Sequence, residues 1–154
     1  MAKSVAIGAD HGGFILKEKI KKVLQRLKYQ VKDMGTFSDG PCDYPEYGYK
    51  TAKEVSAAKA YRGIVICKTG IGMSVIANKL PRVRAGLCNT REDAISAREH
   101  NDTNVLVLAA ARISEKKAVD IVKVWLKTNA LGGRHKRRVR EIINIEKKLF
   151  KTIK

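Results

Sequence analysis

The sequence predicts an α/β fold: a single three-layer α/β/α sandwich, Rossmann-like, with a parallel sheet of about five strands and a basic C-terminal helix. Three observations predict it. Five short apolar runs recur along the chain: "SVAIGA", "YQVKDM", "GIVIC", "RAGLC" and "NVLVLAA". Longer segments of helical periodicity separate them. Gly, Pro and Asp gather between these elements rather than inside them. Such alternation puts helices on both faces of a parallel sheet.

The elements follow in order. "SVAIGA" is bounded by Asp10-His11-Gly12-Gly13, a turn signal. "FILKEKIKKVLQRL" then places Phe14, Ile15, Ile20, Val23, Leu24 and Leu27 near helical spacing, with lysines opposite. "YQVKDM" is the second strand, and "GTFSDGPCDYP" is a loop. A helix is expected after Pro45, to about Ala58. "GIVIC" leads through "CKTGIG" into the short helix "GMSVIANKL", stopped by Pro81. "RAGLC" is followed by "TREDAISAREH", where Thr90 is the N-cap and Asp93 occupies the capping-box position usually held by Glu or Gln. "NVLVLAA" precedes a helix capped by Ser114. "LGG" breaks that helix, and residues 134–154 read as the final basic one. No repeat or linker divides residues 1–154, so one domain is expected.

Composition narrows the function classes. Hydrophobic residues make up 44 % and charged residues 31 %, ordinary for a globular protein. No apolar run approaches the roughly 20 residues of a membrane span. The N-terminal residues lack a hydrophobic signal region, so a cytoplasmic location without membrane contact is expected. Cys42, Cys67 and Cys88 form no CxxC and cannot all pair within one chain, which argues against a disulfide framework or structural zinc. The net charge of +17 is concentrated. Residues 17–32 hold seven Lys/Arg against one Glu, and residues 134–154 hold nine against two. Few aromatics interleave with these cations and no nucleic-acid motif appears, so solvated helix faces explain most of them better than nucleic acid does.

In a parallel sheet, ligands bind beyond the carboxyl ends of the strands. That rule gathers Asp10-His11, Cys67 to Gly70, the "NTRED" segment and Arg112 at one edge. Gly70 and Gly72 permit close backbone approach, and the helix after them offers unpaired N–H groups. The loop is neither a P-loop nor a dinucleotide fingerprint, because GxxxxGK[S/T] and a third glycine are absent. An anion cradle and a plain tight turn both remain open. Cys67 can be a buried, inert cysteine or a nucleophile or base. His11, His100 and His135 all fall at element ends. None has metal-ligand spacing such as HxxxH, so no metal is expected. Arg134 and Arg138, four apart on one helix face, suit a phosphate or a solvated basic face.

The motifs "GADHGGFILK", "DYP", "GIVICKTGIGMSVIANK", "REHNDTNVL" and "GGRHKRRV" resemble, in order and spacing, the ribose-5-phosphate isomerase type B family, which is grouped with galactose-6-phosphate isomerase subunits. The resemblance covers nearly the whole chain. It implies a cofactor-free, metal-free aldose–ketose isomerisation of a sugar phosphate in the pentose phosphate pathway. Carried over residue by residue, Cys67 is the base that moves a proton between C1 and C2, with Thr69 beside it. His100 helps open the furanose ring, and Asp10 contacts the ring oxygens. The backbone of Gly70, Ile71, Gly72 and Ser74 forms the anion hole. His11, Arg134 and Arg138 hold the phosphate, while Tyr44 and Asn101 line the sugar pocket. The family builds this site at a homodimer interface, sometimes as a dimer of dimers. His100 and Asn101 would then reach a neighbour's Cys67, and the helix at about 135–150 would lie at the interface.

Two departures from the family pattern stand out. Lys68 replaces a common glycine; it either points to solvent or acts on Cys67. "NVLVLAAARIS" is one residue longer than usual before Arg112, a phosphate ligand in relatives, and a β-bulge is one way to absorb the insertion. The galactose enzymes divide their functional residues between unlike subunits. This chain has both Cys67 and His100, which favours a self-sufficient homomer acting on ribose 5-phosphate. Allose or galactose 6-phosphate, or a non-catalytic role in binding a sugar phosphate or nucleic acid, are the alternatives.

Overall fold

The computed structural model describes residues 2–152; Met1 and the last two residues of the expected final helix lie outside the described residues. The elements run β1 (Ser4–Ala9), α1 (Phe14–Arg26), β2 (Gln30–Asp33), α2 (Tyr44–Ser56), β3 (Arg62–Cys67), α3 (Ile71–Ala77), β4 (Ala85–Leu87), α4 (Arg91–Asn101), β5 (Val105–Ala109), α5 (Glu115–Lys127) and α6 (Gly133–Thr152). All strands are parallel, in the order β2-β1-β3-β5-β4. The fold is the three-layer, Rossmann-like sandwich that the alternating pattern predicts.

Side chains alternate across the sheet because successive Cβ atoms point to opposite faces. Val5, Ile7, Ile64, Ile66, Leu106 and Leu108 pack with α1, α4 and α5. Ala6, Val65, Cys67, Val105 and Val107 pack with α2 and α3. Both faces are covered, so the central strands read as unbroken apolar runs. Among the described residues no helix is long and apolar enough to cross a membrane.

The chain passes from β1 to β2 on one side and returns to place β3 on the other. The turns after β1 and β3 therefore part at a topological switch point, where open parallel sheets form crevices. Asp10 donates its N–H to the Ile66 carbonyl (3.3 Å), which sets it beside Cys67.

Several local expectations need correction. The lysines of α1 are not all opposite its apolar face: Lys17 is 0 % exposed, whereas Ile15 is 66 % exposed. The helix expected after Pro45 starts at Tyr44 with Asp43 as N-cap, because proline is tolerated in a first turn. α3 ends at Ala77, ahead of Pro81. Asn78 ends it: its amide donates to Ser74 O (3.0 Å) and Ala85 O (3.1 Å) and accepts from Ala85 N–H (2.9 Å), turning the chain into β4. No bulge absorbs the extra residue before Arg112. β5 pairs with β3 without interruption from Gly63↔Val105 to Cys67↔Ala109, and residues 110–112 form a turn. Thr90 and Asp93 do form the expected reciprocal capping box.

Candidate active site

One group of expected site residues assembles at the carboxyl edge of β1 and β3. Asp10 is buried, and its Oδ1 accepts the Gly13 N–H (3.1 Å), closing the turn into α1. Cys67 ends β3 and is 5 % exposed. Its Sγ accepts the Gly70 N–H (3.1 Å), and Thr69 Oγ1 accepts the Ile71 N–H (3.3 Å). Two of the expected anion-hole amides are thus engaged within the loop. Gly70 has φ +75°, and a Cβ there would lie 2.5 Å from Leu87 Cδ1; only glycine fits this turn. Ser74 Oγ donates to the Gly70 carbonyl (2.9 Å), so that hydroxyl braces the loop.

The β2–α2 loop supplies a second wall. The Tyr44 ring lies against the first turn of α3, where a Cβ on Gly72 would come within 2.7 Å of it. His11 is exposed, and its Nδ1 lies 3.3 Å from the Cys42 nitrogen and 3.2 Å from the Cys42 carbonyl. The β5–α5 turn forms the third wall. Ala110 N–H donates to Cys67 O (2.9 Å) and Ala111 N–H to Lys68 O (3.0 Å), so exposed Arg112 stands at the same edge as Cys67. Lys68 is exposed. Asn89, in the turn after β4, keeps a buried Oδ1 without a hydrogen-bond partner among the described residues. It opens the "NTRED" segment that the edge rule gathers here, although no motif gives Asn89 a role of its own.

The remaining expected residues gather at the opposite edge. α4 runs back along the sheet, so its last turn, with His100 and Asn101, lies where β3 and β5 begin. Asn104 O accepts the Gly63 N–H there (2.9 Å), and Arg84 Nε donates to Asn101 O (3.2 Å). The connection into α6 is tied down by the Leu131 N–H to Glu99 O (2.9 Å). It brings Arg134 and Arg138 to this edge, both exposed. The length of β3 separates the two groups by roughly 15–20 Å. No single side chain spans that distance.

At this second edge the His100 and His135 rings stack, with centroids 4.3 Å apart and planes 8° from parallel. They line a cavity of ≈ 290 Å³ with Glu99, Leu131 and Val139. Desolvation, then His100 and the cations of Arg134 and Arg138, hold the His135 imidazole below its ordinary pKa. The sequence marked His135 as a junction histidine but gave it no role. Stacking depends on the approach of two helices far apart in sequence, which no local pattern records.

The three cysteines have different surroundings. Cys88 is buried behind β4; desolvation first, and Asp93 second, push its thiol up to about 12. Iodoacetamide at neutral pH should therefore modify half-exposed Cys42 while Cys88 stays a free thiol until the protein unfolds. Peptide mapping checks this, and early Cys88 labelling would contradict the packing around it. Among the described residues no three His, Cys, Asp or Glu side chains cluster closely enough to hold a metal ion.

Comparison with known proteins completes the description. A family model described as Ribose/Galactose Isomerase matches residues 5–142. The chain is 41 % identical over 146 residues to ribose-5-phosphate isomerase B of Escherichia coli, covering 95 % of this chain and 98 % of that protein. The structure of Clostridium thermocellum ribose-5-phosphate isomerase B superposes with a TM-score of 0.92 at 45 % identity, covering 95 % of this chain and 99 % of the other. That of the Mycoplasma genitalium enzyme with bound ribulose-5-phosphate superposes with a TM-score of 0.91 at 36 % identity, covering 96 % and 98 %. With a family model matched over most of its length, more than 40 % identity at near-complete coverage and a superposing fold, this chain belongs to the ribose/galactose isomerase family.

Proposed function

We propose that this chain is an aldose–ketose isomerase that interconverts ribose 5-phosphate and ribulose 5-phosphate, acting as one isomerase domain over residues 1–154. The observation behind this reading is the placement of Cys67 beside Asp10 at the switch point, walled by Tyr44 and His11. Near-full-length similarity to a relative solved with ribulose-5-phosphate supports it.

The chemistry follows from the positions. Moving a proton between C1 and C2 needs a base near both carbons, which is the role assigned to the Cys67 thiolate, with Thr69 beside it. Negative charge then develops on the substrate oxygens, and the Gly72 and Met73 amides, in the first turn of α3 and not taken up by the loop's own hydrogen bonds, receive it. Asp10 accepts hydrogen bonds from sugar hydroxyls. His11 and Arg112 receive the phosphate at this edge, and Tyr44 closes the pocket against water. Binding the phosphate remotely holds the reacting carbons in place.

A second copy of the chain completes the site. His100, for ring opening, and Asn101, Arg134 and Arg138, for sugar and phosphate, lie at the far edge and must come from a neighbour. α6 offers the surface for it: Ile142, Ile145, Leu149 and Phe150 are exposed on a helix whose one buried side chain is Val139. Such an unpartnered apolar stripe suits a twofold interface. A homodimer is therefore the smallest active unit.

The direct test is incubation of purified protein with ribose 5-phosphate, with the ketose product followed over time. Turnover is expected, with a higher kcat/KM than for allose 6-phosphate or galactose 6-phosphate. Replacing both Arg134 and Arg138 with alanine should raise KM about a hundredfold, since each loses a charge-assisted contact. Thermal stabilisation by ribose 5-phosphate without turnover would instead indicate a binding protein.

A further inference from the structure

Helices that pack one face on a sheet repeat apolar residues at i, i+3, i+4 and i+7. On α1 the buried positions are Leu16, Lys17, Ile20 and Leu24. A lysine thus occupies a core position. Its ammonium donates to both Asp33 oxygens (2.7 and 2.8 Å) and to Glu18 Oε1 (3.0 Å). The Phe14 and Phe37 ring centroids lie 5.6 and 5.4 Å away. Burying a charge is costly, and a well-packed apolar side chain in its place is often as stable or more so. Stability alone gives no reason for a lysine where leucine would complete the face.

What the pair does hold is backbone beside the catalytic edge. Asp33 Oδ1 also accepts the Gly35 N–H (3.0 Å). The Gly35 carbonyl accepts the Ala9 N–H (2.7 Å), and the Thr36 N–H donates to the Ala9 carbonyl (2.7 Å). Ala9 precedes Asp10. Downstream, the same segment delivers Cys42 to His11 and Tyr44 to Gly72. The Lys17 N–H meanwhile donates to the Gly13 carbonyl (2.9 Å), closing the turn that bears His11. Lys21 is a second cation on Asp33 (2.5 Å).

We infer that Lys17 is a positioning residue for the sugar-phosphate site: through Asp33 it sets the β2–α2 segment against the Asp10–Gly13 turn and so places His11 and Tyr44. It touches no substrate. The kinetic half of this inference rests on the isomerase reading; the structural half rests on the hydrogen bonds alone.

The test compares Lys17→Met, which replaces the buried ammonium on Asp33 with an apolar side chain and leaves that carboxylate only the partly exposed Lys21, with Lys17→Met/Asp33→Asn, which removes the carboxylate charge and keeps an acceptor for Gly35. Tm, amide hydrogen exchange at Gly35 and Thr36, and kcat and KM for ribose 5-phosphate are measured on the full chain. Both variants should exchange these two amides faster far below Tm. Both should show KM raised about tenfold with kcat changed less, as expected when binding groups are misplaced. The double variant should recover Tm without recovering KM. If it restores Tm, exchange and KM together, Lys17 merely neutralises Asp33 and the inference falls. If wild-type protein does not turn over ribose 5-phosphate, the isomerase reading fails and exchange alone decides: wild-type protection of Gly35 and Thr36 in both variants would overturn the positioning role.

Discussion

Replacing Cys67 with alanine should lower kcat for ribose 5-phosphate by about 10²- to 10⁴-fold, the range for removal of a general base. KM should change little, because Cys67 is not among the residues assigned to the phosphate. The fold should survive. The lost interactions are one hydrogen bond from Gly70 and a small buried volume beside Val65 and Met73. That is about 1–2 kcal/mol, within the stability of an ordinary domain. Cys67→Ser keeps an acceptor for the Gly70 N–H and so separates chemistry from loop geometry. A serine variant with the same Tm but equally low kcat places the loss in the sulfur. An alanine variant with wild-type kcat would remove Cys67 as the base, and Asp10, its buried neighbour, would become the group to test.

The second large effect concerns two chains rather than one. Cys67→Ala and His100→Ala homomers should each be nearly inactive. Mixed by unfolding and refolding together, they should recover about a quarter of wild-type activity, since random pairing makes about half the dimers mixed and each mixed dimer holds one intact site. The reason is distance. Cys67 ends β3 and His100 lies in the last turn of α4, at opposite edges of the sheet, so the proposed site takes one residue from each chain. Native mass spectrometry establishes that mixed dimers form. Mixed dimers without recovered activity would exclude a shared site.

Much of this was legible in the residues themselves. Strand and helix types follow from local periodicity, so "GIVIC" and "NVLVLAA" could be read as buried strands and "TREDAISAREH" as a capped helix. The edge rule needs only the direction of parallel strands, which is why Asp10, Cys67 and Arg112 were expected together and lie together. The same directionality, applied to helices, puts His100 at the other edge. Motif spacing hides this by making all site residues seem equivalent. Lys17 escaped because periodicity treats a lysine as polar wherever it falls, whereas its burial depends on Asp33, sixteen residues on. Ile15 was misplaced for the matching reason: its neighbours in sequence suggested a core face that the packing of α1 turns away from the sheet.

The sequence by itself determined the alternation of elements, the two-faced burial of the central strands, the cap of α4 and the glycine turn after Cys67, all of which depend on side chains within a few residues of one another. Tertiary structure alone decided which lysine is buried, that His135 stacks on His100, that the extra residue before Arg112 lies in a turn, and that Arg134 and Arg138 stand at the edge opposite Cys67. Those outcomes arise from contacts between segments far apart in the chain, where burial and charge pairing in three dimensions outweigh any local preference.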